Sequence, residues 1–449
     1  MDTVESALTE SGERMMELAA FGADRIPFES ENGRHPLAHP AQVRLSTPRT
    51  RTEIETMSTR PAPREVIARI HEAGPELRAN AERADHERRL PEETIAALTR
   101  TGVFGLNTPS CYGGYEGGAR AMVEAATALG QYCTNAAWIA VISSVSALLP
   151  ARFPKSLSAR MFNAGAPVLM SSVIVSPHST AVRDGDGYVI NGQWPFASNI
   201  WHAEWALGVV AIQETADAPP EPGFAFLQRS QYRVEDVWHT VGMRGTGSNN
   251  FIATDARVPP DQVVRAETLL GPAFEASPEA TFTQRLPPVS MFGTTIAAPP
   301  LGAARAALAL TADAARTRPV TYSTYHPQTS SGAFAQGIGA ARAKIDTAEL
   351  CLLRAADTID TAAADSSPLS PDARAQIRND IGHATYNLGE AMNDIAWLHG
   401  TALFAESNPL SRLWRDVHTG IRHALTAAPL NYEIGGASRL GVAAPAPLL

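Results

Sequence analysis

The chain has 449 residues, 44% of them hydrophobic and 18% charged, enough for about three core-forming units at a typical domain size of ~150 residues. Asp and Glu outnumber Lys and Arg 46 to 37, a net charge of −9, which argues against a duplex-wide nucleic-acid surface or a polybasic membrane contact. Three widely separated cysteines, Cys111, Cys133 and Cys351, exclude a disulfide framework and a Cys-rich zinc module and fit a reducing, cytoplasmic setting.

Residues 1–60 lack sustained periodicity, and the stretch from Arg44 to Arg64 is rich in Arg, Thr and Pro, the composition of a solvated tail. Met57 stands directly ahead of the first amphipathic helix, so residues 1–56 read as a disordered extension or an upstream mis-start. The acidic N-terminus, without a basic opening or an apolar block, does not read as a secretion signal. The longest apolar stretches, Ala136 to Leu149 and Ala203 to Ile212, fall short of the ~20 residues of a membrane span. From 61 to 165 the pattern predicts an α-domain: Val66, Ile67 and Ile70 recur at helical spacing, Pro91 with Glu92 and Glu93 opens a helix, Ala-rich helices cover 117–132 and 136–149, and Pro154 starts a fifth. Residues 166–275 predict an antiparallel β-domain, with β-type runs at 168–176, 188–190, 194–198, 205–212, 224–227 and 251–257. Asp184-Gly185-Asp186-Gly187 and Asn191-Gly192 serve as hairpin turns. From 276 to 449, helices at 292–317, 335–365, 371–404 and 409–426 predict a C-terminal four-helix bundle.

Common cofactor and metal signatures do not appear. Gly245-Thr-Gly-Ser248 and Tyr112-Gly-Gly-Tyr-Glu-Gly-Gly118 have neither the spacing nor the βαβ setting of a dinucleotide or phosphate loop. The twelve histidines include no His-Glu-x-x-His, and His418 and His423 lie five apart, about 140° around a helix. No Gly-x-Ser-x-Gly elbow is present.

The order of helices, then strands, then a helical bundle resembles the acyl-CoA dehydrogenase superfamily over roughly Arg64 to Leu440. Three segments narrow it: Tyr188-Val-Ile-Asn-Gly-Gln-Trp-Pro-Phe-Ala-Ser198, Trp238-His-Thr-Val-Gly-Met-Arg-Gly-Thr-Gly-Ser248 and Asn408-Pro-Leu-Ser-Arg-Leu-Trp-Arg-Asp-Val-His-Thr-Gly-Ile-Arg-His423. The third, with His seven residues after the Asp, resembles the flavin-dependent monooxygenase branch, the oxygenase components of two-component systems. The resemblance implies reduced FMN (or FAD) and O2 as reactants through a flavin hydroperoxide. It further implies an aromatic or polyketide-like small-molecule substrate, a separate NAD(P)H flavin reductase as partner, and assembly as a homotetramer.

It also implies site residues. On its own terms, Ser198 at a strand end beside aromatics is a half-buried serine satisfied by backbone; the resemblance sets its hydroxyl beside flavin N5. His423 on its own terms is a histidine on a basic helical face; the resemblance makes it either a donor to the reacting oxygen or the base for a phenol-like substrate, with His418 pointing elsewhere. Trp194 is the expected flavin wall, although Trp194, Phe196 and Trp201 all suit a β-domain core. Ser172, Ile174, Arg412, Arg316 and Arg318 are expected to contact flavin, the last two at its phosphate and from a neighbouring subunit. Trp138, Ser146, Trp201 and Arg244 are expected at the substrate, and Ser248 is weighed with the arginines as a weaker candidate for the flavin phosphate. The chain departs from the branch in having Ser146 where many members have a pocket histidine, and Ser179 where a glycine is usual. Two rival readings are an acyl-CoA dehydrogenase, with Glu433 in a catalytic loop ahead of Gly435-Gly436, and a non-catalytic binding protein on the same fold.

Overall fold

The computed structural model describes residues 62–446 except 164–166, 175, 177, 216 and 276; the expectations for the tail, Met57 included, lie outside the described residues. The first layer is helical: α1 (Pro63–Ala79), α2 (Ala81–Glu87), α3 (Glu92–Thr101), α4 (Gly118–Gly130), α5 (Thr134–Ser146) and α6 (Lys155–Phe162). In α5 all thirteen residues are buried. Its sequence is apolar or small all round, so it has no face suited to water and sits at the centre of the fold. The run Thr134–Arg152 has the length and hydropathy of a membrane span, yet 94% of the window is buried inside the protein. It is a core helix.

Eight strands follow: β1 (Met170–Val173), β2 (Thr180–Asp184), β3 (Gly187–Ala197), β4 (Trp205–Gln213), β5 (Glu221–Gln228), β6 (Arg233–Glu235), β7 (Asn249–Val258) and β8 (Val263–Arg265). They form one sheet in the order β6-β7-β3-β2-β4-β5-β8, with β1 also on β4. The sheet is mixed rather than antiparallel: β1 and β2 lie end to end along β4, both parallel to it. Asp184 to Gly187 is the β2–β3 hairpin, as its residues predict, with Gly185 at φ +61. Asn191-Gly192 is not a turn. It lies inside β3 at a register shift against β7, where a Cβ on Gly192 would stand 2.8 Å from the Trp194 ring. The glycine makes room for a core indole.

The third layer comprises α7 (Ala266–Leu270), α8 (Phe282–Arg285), α9 (Pro288–Ile296), α10 (Ala298–Ala314), α11 (Gly332–Ala364), α12 (Pro371–His399), α13 (Pro409–Gly420) and α14 (Ala428–Leu440). The two long helices stand close to their predicted ranges. The expected helix 292–317 is broken at Ala297, because Pro299 and Pro300 lack amide hydrogens and are tolerated only in the first turn of a restarted helix. The expected helix 409–426 stops at Gly420. The Thr426 hydroxyl donates to the Gly420 carbonyl at 3.2 Å, closing a turn that carries His423, and α14, absent from the sequence reading, starts at Ala428 with Pro429 in its first turn.

Candidate active site

The site is assembled where the three layers meet, and strand register does the first part of the work. In the β3–β7 ladder Ala197 pairs with Asn249, so the residues just beyond, Ser198 and Ser248, face each other; their hydroxyl oxygens lie 2.7 Å apart. Ser248 lies 2.7 Å from the Thr246 hydroxyl, which donates to the Met243 carbonyl at 2.7 Å. From the other side the Trp138 indole of α5 donates to Ser198 Oγ at 3.1 Å. Ser198 is buried yet retains 7% of its surface.

The loop 238–248 reaches this position by docking on α13. A Cβ on Gly242 would fall 2.2 Å from the Arg415 carbonyl oxygen, so only glycine permits the approach. Next to it Asp416 accepts from the Met243 amide at 2.6 Å and from Asn135 Nδ2 at 3.0 Å. Asp416 thereby ties α13, the loop and α5 together. Burial pushes its carboxyl up to about 7, opposed by the Met243 amide. The Trp-Arg-Asp sequence is thus a clamp that sets the loop and Trp138 against Ser198.

His423 faces Trp138 edge-on, with ring centroids 5.8 Å apart at 65°. His423 keeps exposed surface, while the protein packed around it desolvates the imidazole. The crowding, with the Arg378 guanidinium, pulls its pKa down to about 4, so at neutral pH the imidazole is uncharged. The Leu425 amide donates to Nδ1 at 3.2 Å, which places the remaining ring hydrogen on Nε2. His423 therefore presents a neutral N–H donor. To serve as a base at Nε2 it would have to move its hydrogen to Nδ1, against the Leu425 amide. His418 packs its ring on Trp414 at 4.4 Å, and Arg422 donates to its carbonyl at 2.5 Å, so the two histidines do diverge. The reason is the end of α13 at Gly420, not the helical angle.

Several expectations need correction. Trp194 is fully buried, stacked on Phe251 at 4.5 Å with its indole hydrogen given to the Val209 carbonyl; it is sheet core and cannot wall a ligand. The accessible aromatic is Phe196, 64% exposed, held at φ +60 and packed edge-on to Trp238. Ser146 has no accessible surface: its hydroxyl donates to the Ile142 carbonyl and lies 2.7 Å from Ser172 Oγ, so neither a base nor a substrate contact is formed there. Arg244 donates to the Asp85 and Thr240 carbonyls and is a loop anchor rather than a substrate ligand. Trp201 lies against Gly247 and lines a separate recess of about 290 Å³ with His202 and Trp205. Trp138 does line the site, but its polar atom is taken by Ser198.

The remaining residues are placed as follows. Ser172, half-buried in β1, and Ile174, exposed just beyond it, are available to a ligand. Arg412 lies one turn before Asp416 and offsets its charge. Arg316 and Arg318 follow the end of α10; Arg316 faces Asp313 at 3.7 Å, and Arg318 donates to the His399 carbonyl. The start of α10 touches the site, since Pro300 and Trp138 both abut Gly420. The fourteen residues from there to Ala314 span about 21 Å, which sets the two arginines well apart from the Trp138 end of α10. Glu433 is exposed on α14, not carried in a loop.

These groups fit a reduced flavin: a hydroxyl with one unused lone pair, an accessible aromatic face, a neutral N–H donor and a water-poor junction. Comparison with known proteins agrees. Residues 63–153 match the acyl-CoA dehydrogenase N-terminal domain family and residues 294–428 the acyl-CoA dehydrogenase C-terminal domain family. The chain is 29% identical over 384 residues to the flavin-dependent monooxygenase oxygenase subunit HsaA of Mycobacterium tuberculosis, covering 84% of this chain and 95% of that one. It is also 29% identical over 386 residues to the FADH(2)-dependent resorcinol hydroxylase oxygenase component of Rhizobium sp., covering 80% and 90%. The solved structure of XiaF from Streptomyces sp. in complex with FADH2 and glycerol superposes with a TM-score of 0.83 at 33% identity, covering 89% of this chain and 99% of XiaF. A fold of helices, mixed sheet and bundle, a Ser198–Trp138–His423 junction and these likenesses place the chain in the acyl-CoA dehydrogenase superfamily, within its flavin-dependent monooxygenase branch.

Proposed function

We propose that this protein is the oxygenase component of a two-component monooxygenase that receives reduced FMN or FAD from a separate NAD(P)H flavin reductase and oxygenates an aromatic or polyketide-like small molecule. The observation that carries this reading is His423, a neutral N–H donor set edge-on to Trp138, whose indole in turn donates to Ser198. Reduced flavin, when bound, supplies the two electrons that activate O2 for transfer of one oxygen atom. The residues of the chain do the rest. With flavin bound, Ser198 would hold the proton at N5 and Phe196 would supply a flat apolar wall. The junction of α5, the 238–248 loop and α13 keeps water out. His423 donates to the oxygen being transferred or to a substrate oxygen; its tautomer favours this over the base role. Glu433, exposed on α14, gives no comparable support to a thioester dehydrogenase. The free thiols of Cys111, Cys133 and Cys351 suit a cytoplasmic setting.

A homotetramer fits the bundle surface. Leu350 of α11, Tyr386 and Trp397 of α12 and Phe404 beyond it are large apolar side chains left exposed, Trp397 by 88%, and a partner subunit would cover such side chains. Arg316 and Arg318 would then face a neighbour's flavin phosphate; light scattering that reports a monomer at micromolar concentration contradicts this arrangement. The reaction itself is tested by mixing the full chain with a flavin reductase, NADH, FMN or FAD and a panel of phenols and polycyclic aromatics under labelled O2. Product carrying one labelled oxygen supports the reading. Peroxide alone from every substrate, with no binding of reduced flavin, contradicts it.

A further inference from the structure

The hydroxyl groups around Ser198 form a chain whose direction can be worked out atom by atom, because one end of it rests on a carbonyl. A carbonyl oxygen cannot donate, so the 2.7 Å contact between Thr246 Oγ1 and the Met243 carbonyl must use the single hydrogen of Thr246. The same carbonyl also accepts from the Trp238 indole at 2.9 Å and from the Thr246 amide at 3.2 Å, so it acts only as an acceptor at this end of the chain. With its hydrogen spent, Thr246 can only accept in its 2.7 Å contact with Ser248; Ser248 is therefore the donor there. Ser248 in turn can only accept from Ser198 at 2.7 Å, so the hydrogen of Ser198 points at Ser248. At the other end the Trp138 indole, which has a hydrogen and no lone pair to offer, donates to Ser198 Oγ at 3.1 Å. Ser198 is left with no free hydrogen and one free lone pair. All four side chains of the chain are at least nine-tenths buried, with Trp138 at 5%, Ser198 at 7%, Thr246 at 2% and Ser248 at 5% exposure. Water is thus poorly placed to reverse the order.

We infer that Thr246 and Ser248 are positioning residues that lock the Ser198 hydroxyl as a hydrogen-bond acceptor, and that this polarity makes the site select reduced over oxidised flavin. The inference rests on the proposed function, in which Ser198 lies beside flavin N5. Reduced flavin carries a hydrogen on N5 and meets the Ser198 lone pair as donor to acceptor. Oxidised flavin has a lone pair on N5, and two facing lone pairs repel. A serine free to rotate would accept from one form and donate to the other, and would discriminate little. The relay removes that freedom. A component that must take flavin in its reduced form and let it leave oxidised gains from a site that distinguishes the two.

The test is anaerobic titration of the full chain with FMN and FAD, each in oxidised and dithionite-reduced form, followed by fluorescence and absorbance. The quantity read is the ratio of dissociation constants, oxidised over reduced, and thermal melts confirm the fold. In Ser248→Ala the Ser198 hydrogen loses its acceptor and can turn to N5 of oxidised flavin, so the ratio should fall about 3–10-fold, the worth of one hydrogen bond. Thr246→Val should lower it similarly from two links away, while Thr246→Ser, which keeps the hydroxyl, should restore the wild-type ratio. Trp138→Phe, which removes a donor without reversing the chain, should leave the ratio within about twofold. If Ser198→Ala abolishes the preference but Thr246→Val and Ser248→Ala keep it, the relay is wrong and the flavin site stands. If the wild type binds neither form of reduced flavin, the proposed function fails first. Should Ser248→Ala not fold, the contrast between Thr246→Val and Thr246→Ser carries the same decision.

Discussion

The two sides of the site are built differently. On the Ser198 side the hydroxyl hydrogens are assigned to fixed acceptors, and the side chains are buried and tied through Asp416 to three elements. On the His423 side one ring nitrogen is held by a backbone amide, the ring meets Trp138 edge-on, and the residue keeps exposed surface. A fixed side suits a constant ligand such as flavin, and an open side suits a substrate that differs among relatives. Pre-organisation is concentrated where the chemistry does not vary.

Breaking the fixed side should produce the largest effect. Asp416→Ala leaves the Met243 amide and the Asn135 side chain buried without their acceptor, and should cost ~2–4 kcal/mol of stability, read as a lowered midpoint in denaturant. Asp416→Asn should cost far less. Asn135 Oδ1 has no partner, and turning that amide presents it to the new NH2 group. Equal losses in the two variants would mean that the clamp acts through packing alone.

Breaking the open side should cost activity without stability. His423→Ala is expected to lower product formation ~10²-fold, the usual scale for a lost proton-donating group, with reduced-flavin affinity held within a few-fold. His418→Ala, whose ring rests on Trp414, should do much less. Comparable losses in both would show that the donor facing Trp138 has been assigned to the wrong histidine.

Titration sharpens the contrast further. The pKa of His423 is lowered to about 4, so it stays neutral above that value. Its contribution to stability is full above the unfolded value near 6.5 and is lost as pH falls toward 4. Product formation should therefore show no histidine inflection near pH 6.5. Asp416 is the opposite case: its raised pKa of about 7 gives stability that is full below the unfolded value near 3.9 and is lost as pH rises through 7. Melting temperatures from pH 6 to 8.5 should decline modestly in the wild type and flatten in Asp416→Asn. A wild-type rate profile with a step at pH 6.5 would mean that His423 titrates as an ordinary histidine.

Much of this was legible in the chain, and the misses have physical causes. Ser198 and His423 stand in segments whose residue order carries the family likeness, and the long amphipathic helices of the bundle announce themselves by period. A regular strand would put residues 194, 196 and 198 on one face. The register shift between Trp194 and Ala197, with Phe196 at positive φ, turns Phe196 out and leaves Trp194 in, and no glycine marks it. The clamp at Asp416 was invisible for a different reason: its partners, Asn135 and Met243, are 281 and 173 residues away. Ser146 looked available because α5 is apolar or small on every face, which hides which residues have any surface at all.

The most direct test of the account is the partition of reduced flavin between product and hydrogen peroxide, measured with the accepted substrate in a single turnover, wild type against Ser198→Ala. If Ser198 holds the N5 proton, the wild type directs most of the reducing equivalents into oxygenated product and Ser198→Ala diverts most of them to peroxide, while reduced flavin still binds. An unchanged partition in Ser198→Ala, with flavin bound and substrate saturating, would contradict the central claim.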